Sequence, residues 1–110
     1  MQKHVISPPQ DCTSMPELRL AIDALDENIV ALLARRQTYI ERAAVLKTGR
    51  DQVRDSARIE DVVAKVVAAG KKAGLSPDIA ETVWRALIEA SISHELAAFD
   101  AQKPDAQAAK

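Results

Sequence analysis

Cysteine occurs once, at Cys12, which excludes an internal disulfide and any cysteine-based metal cluster. Glycine occurs three times and proline five, with most of the proline near the ends, so strands joined by tight turns are not expected. Aromatic residues are limited to Tyr39, Trp84 and Phe99, leaving Ala, Val, Ile and Leu to build the core. Neither charge sign is in excess: 15 basic and 16 acidic side chains leave a formal charge of −1. The basic surplus of a nucleic-acid binder is absent. No apolar run approaches the ~20 residues of a membrane span, and the first residues lack a signal-peptide core. The expectation is a cytoplasmic chain of one domain, with no membrane and no nucleic-acid partner.

What remains is the composition of long helices, and the fold expected is all-α with three helices. Residues 1–13 contain Pro8 and Pro9 and no helical period, and read as an extended lead. Residues 14–100 form the helical domain, and 101–110 a tail that is polar and Ala-rich from about Lys103. Ser14 and Glu17 have capping-box spacing. Apolar residues then recur at Leu18, Ile22, Leu25, Ile29 and Leu32, and the rhythm continues through Arg36 to Tyr39, Ala43 and Leu46. Gly49 is the first plausible stop. A second helix starts near Asp55 or Ser56, buries Ile59, Val62, Val63, Val66 and Val67, and ends at Gly70 or Gly74. The third begins with Ser76 as cap, Pro77 in the first turn and Asp78 beside it, and runs to about Phe99.

A helix from Ser14 to about Lys47 is roughly 50 Å long at ~1.5 Å per residue. A compact domain of this size is roughly 35 Å across. The first helix outruns anything its own chain can cover, yet its seam stays apolar. A second copy of the chain is the simplest cover, so an intertwined homodimer is expected.

Charged residues interrupt the apolar faces. Arg36 sits on the first seam between Leu32 and Tyr39, and Lys47, eleven residues on, points within about 20° of it. Ser91 and Glu95 stand where hydrocarbon is expected on the stripe from Trp84 through Ile88 to Ala98. Arg58 lies beside Ile59, where its side chain can turn inward. Singly these have plain explanations: a long cation can bury its stem and keep its head in water, Ser91 can serve helix packing, and Glu95 can pair with an interior cation. Together they would suit a dianionic ligand. Other chemistries lack support. There is no glycine-rich phosphate loop, His4 and His94 lack metal-ligand spacing, and Cys12 has no evident activating partner. Asp26 and Asp55 are explained by helix-surface and capping roles.

The string Leu18-Arg19, Ile22, Leu25-Asp26, Ile29, Leu32-Leu33, Arg35-Arg36 and Lys47 resembles the first helix of the all-helical chorismate mutases. Arg54-Asp55 followed by Arg58 is similar to that family's approach to its second helix, and Ile88-Glu89, Ser91 and Glu95 to its closing helix. The resemblance covers residues 14 to 99. It implies conversion of chorismate to prephenate, toward phenylalanine and tyrosine, without cofactor or metal. It implies Arg36, Lys47, Arg58, Ser91 and Glu95 in one pocket, Asp55 among the substrate-binding groups, and Arg19 entering from the partner subunit. The helix agrees on the last point, since Arg19 and Arg36 are about 100° apart. In this reading the arginines clamp carboxylates, Ser91 hydrogen-bonds one, and Lys47 and Glu95 face the breaking ether oxygen.

Two departures stand out. A common family pattern has Glu after the Arg58 position, where this chain has Ile59. Many members have Gln at the Glu95 position, and a carboxyl group there must carry a proton to donate. Isochorismate pyruvate lyases resemble the chain too, in Asp11-Cys12-Thr13, in Tyr39 after Arg35-Arg36 and in lacking that Glu, whereas the segment from Ser91 to Phe99 resembles the mutases. A helical dimerisation module without activity is the competing class. It requires Arg36 and Lys47 to be exposed or paired within the protein.

Overall fold

The computed structural model describes residues 6–102, which are helical apart from short connections, with no strand among them. Three α-helices follow one another: α1, Met15–Leu46; α2, Ser56–Ala73; and α3, Pro77–Gln102. Short 3-10 turns lie at Pro9–Asp11, in the expected extended lead, and at Arg50–Gln52, between α1 and α2. Residues 1–5 of the expected extended lead and 103–110 of the expected tail lie outside the described residues. The two residues before that segment, expected to belong to the tail, continue α3. No helix among the described residues is long and apolar enough to cross a membrane.

The chain divides into two compact units, Met1–Thr38 and Tyr39–Lys110. The first holds the start of α1. Glu17 N–H donates to Ser14 Oγ at 3.3 Å, as the capping spacing predicts. The Glu17 carboxylate, however, reaches back to Thr13 rather than Ser14, accepting from its N–H at 2.7 Å and its hydroxyl at 2.8 Å. These bonds, the backbone one foremost, hold the Glu17 carboxyl below the usual carboxylate range. Beyond Leu18, which is half-buried, the seam residues Ile22, Leu25, Ile29 and Leu32 are 46% to 60% exposed in the single chain.

The second unit carries the core. Val53, Val63, Ile88 and Ile92 are buried together, with Ile59, Val62, Val67, Trp84 and Leu96 packed against them. Each large buried side chain is worth roughly 1.5–3 kcal/mol against exposure. Asp55 caps α2, accepting from Arg58 N–H at 3.0 Å. Of the two expected stops, Gly74 is the one used. Its φ of 87° is left-handed, and Leu75 N–H closes the helix end on Gly70 C=O at 2.7 Å. Gly70 instead stays within α2 and is buried at the turn, where Leu75 and Ala80 approach it. Ser76 Oγ then accepts from Ile79 N–H at 3.4 Å at the start of α3.

Candidate functional site

Two candidate residues meet in the second unit. Lys47 Nζ donates to Glu95 Oε2 at 2.7 Å across 48 positions of sequence. Glu95 is 4% exposed and is the buried charged residue of the described chain, while the Lys47 side chain keeps 29% of its surface. A buried carboxylate needs such a partner, since removing one member of a buried pair leaves an uncompensated charge. The ammonium, with three donors, retains hydrogen-bonding capacity toward an incoming anion.

Local structure fixes Lys47. Its N–H continues the α1 ladder to Ala43 C=O at 3.0 Å. The chain then turns sharply, and Gln52 Oε1 holds the turn by accepting from Thr48 N–H at 2.8 Å and Gly49 N–H at 3.2 Å. Val53, buried in the core, anchors the turn from the other side. Glu95 is carried by α3 between buried Ile92 and Phe99. Gln102 Nε2 donates to Ala44 C=O, a further tie between the end of α1 and α3.

The remaining candidates are placed differently. Ser91 lies one turn before Glu95 on α3, half-buried and engaged with the protein. Arg58 does not turn inward: its guanidinium pairs with Asp61 at 3.0 Å and its side chain is 63% exposed. The reason is local, since Asp61 stands one turn further along the same helix face. Asp55 is occupied as the α2 cap. Ile59, in contrast, does face the core. Arg19 and Arg36 belong to the first unit; Arg19 is exposed, and Arg36 is half-buried and engaged with the protein.

Sequence reasoning missed other side chains that tie the second unit together. Gln52 was legible as the residue three after Gly49. His94 pairs with Glu41, Nε2 to Oε2 at 2.6 Å, and nothing in the sequence joins two residues 53 apart. Arg54 grips Glu89 through both terminal guanidinium nitrogens, at 3.0 and 2.6 Å, and holds that carboxyl below its ordinary range.

A groove of about 520 Å³ in the first unit does not suit an anion. It is lined by Ile6, Cys12 and Leu20 among others, and by the carboxylates of Asp11, Glu17, Asp23 and Glu27. Among the described residues no group of three His, Cys, Asp or Glu side chains is arranged to hold a metal ion.

The sequence profile of the family described as chorismate mutase type II matches residues 18–96. The chain belongs to this family. A relative within it is the isochorismate pyruvate lyase of Pseudomonas aeruginosa, 26% identical over 88 residues that cover 80% of this chain and 87% of that protein. A chorismate mutase type II chain thus carries its part-buried Lys47–Glu95 pair inside the matched region, together with Arg19, Arg36, Asp55, Arg58 and Ser91.

Proposed function

We propose that the protein is a chorismate mutase, rearranging chorismate to prephenate as a homodimer. The observation that carries the reading is the ion pair of Lys47 with buried Glu95, in a chain of the chorismate mutase type II family. The reaction is an intramolecular [3,3] rearrangement, so the protein has no nucleophile or cofactor to supply. It has to hold a flexible dicarboxylate in its compact, chair-like form and stabilise charge on the breaking ether oxygen. Lys47 donates to that oxygen, with Glu95 beside it. Arg36, Arg58 and Arg19 of the partner subunit clamp carboxylates, and Ser91 hydrogen-bonds one. Arg58 must leave Asp61 to do so, a small cost for an exposed pair. Asp55 keeps the start of α2 in place for Arg58.

The dimer is supported by the open seam of α1. Ile22, Leu25, Ile29, Leu32 and Tyr39 each leave 46% or more of their surface to water in the single chain. Covering apolar surface is worth roughly 25 cal/mol per Å². The pairing of Lys47 within the chain is also what a dimerisation module without activity would show, and turnover separates the two.

A second reading, isochorismate pyruvate lyase, is favoured by the named relative and by Ile59 at the position after Arg58. One experiment decides among the three. Purified protein is given chorismate and, separately, isochorismate, and prephenate, salicylate and pyruvate are followed. Prephenate from chorismate at the greater catalytic efficiency is the expected outcome. Salicylate and pyruvate as the principal products would establish the lyase, and turnover of neither substrate the module.

A further inference from the structure

Two charged pairs join the same two segments of the second unit. Lys47 meets Glu95 at 2.7 Å, and Glu41 meets His94 at 2.6 Å. His94 and Glu95 are consecutive on α3, about 100° apart around its axis, and Glu41 and Lys47 are six positions apart along α1 and its continuation, about 120° around theirs. Midway between Glu41 and Lys47 in direction lies Ala44, 1% exposed, whose carbonyl accepts from Gln102. The sector of α3 between His94 and Glu95 carries half-buried Ser91 and Ala98 as well as Gln102. Small residues thus occupy the middle of each helix face, with a charged pair on either flank. One pair is buried on its α3 side; the other leaves 43% of His94 and 42% of Glu41 exposed.

We propose that Glu41 and His94 are a positioning pair that sets the rotation of α3 against the end of α1 and so holds Glu95 on Lys47. A single ion pair, with the Gln102–Ala44 hydrogen bond in the middle of the facing sectors, leaves the helices some freedom to roll. A second pair on the opposite flank, displaced along the axis, removes that freedom. The residues act through Lys47 and Glu95 and do not touch substrate. The proposal rests on the reading of Lys47 and Glu95 as the reacting-end groups of a mutase.

The test uses the full chain with the variants His94→Gln and Glu41→Gln, both at half-exposed helical positions that tolerate Gln. Each is expected to lower kcat for chorismate roughly tenfold with KM little changed, because displacing a group at the reacting atoms costs transition-state stabilisation. Introduced into Glu95→Ala, which leaves no group to be held on Lys47, His94→Gln should give little further loss. An equal loss in both backgrounds overturns the proposal, as does an unchanged kcat. A second readout needs no turnover. The side-chain ¹⁵N resonance of Lys47, identified by its disappearance in Lys47→Arg, should move in His94→Gln and Glu41→Gln toward the exposed lysines. A resonance that stays in place overturns the positioning role. If the wild type converts neither chorismate nor isochorismate, the functional reading fails, and the Lys47 resonance still decides whether Glu41 and His94 hold the pair.

Discussion

Glu95 accepts a hydrogen bond from Lys47, and an ionised carboxylate offers no proton to an ether oxygen. A glutamine at this position can accept from Lys47 through its carbonyl and donate through its amide at any pH. Glu95→Gln should therefore retain or exceed the wild-type kcat/KM for chorismate at neutral pH. A variant without activity would leave Glu95 only the role of counter-ion to Lys47. Arg36 and Arg35 give a second contrast. Arg36 is half-buried and engaged, Arg35 exposed. Arg36→Lys retains charge but loses the planar fork, and should reduce kcat/KM at least tenfold, about 1.4 kcal/mol. Arg35→Lys should be nearly silent, and equal losses would put the wrong residue on the substrate.

The elements were readable where a signal is local. Capping at Ser14, Asp55 and Ser76 and the apolar period of α2 depend on residues within one or two turns, and each appears in the structure. The choice between Gly70 and Gly74 as the end of α2 is not local, because it depends on what packs at the turn. That choice predicts opposite outcomes for one substitution. Gly74→Ala places a Cβ on a residue with φ of 87° and should cost roughly 1 kcal/mol. Gly70→Ala adds a methyl group at 3.5 Å from the side chains of Ala80 and Leu75, ordinary contact, inside a helix that gains up to about 1 kcal/mol from alanine. Urea unfolding of both variants should show the first below wild type and the second at or above it. A Gly70→Ala protein as unstable as Gly74→Ala would mean that the packing of Leu75 and Ala80 around position 70 does not accept a methyl group.

At the scale of the molecule, the apolar seam of α1 is open in the single chain, and the homodimer proposed to close it has a direct check. Sedimentation equilibrium should give twice the chain mass at micromolar concentration, with unfolding midpoints that rise with protein concentration. A stable, folded monomer would remove the dimer, and with it the route by which Arg19 of the partner subunit reaches a site. The sequence by itself determined the helical class, three helices, their caps and the family resemblance, because helix period, capping and charged interruptions are written within a few residues of one another. It also singled out Lys47 and Glu95 as charges on apolar faces. Only the tertiary structure decided that these two pair and that His94 meets Glu41. The physical reason is that a long charged side chain has several partners within reach of its rotamers. Which of them it takes depends on how far apart and at what rotation the helices come to rest, a quantity no single helix encodes.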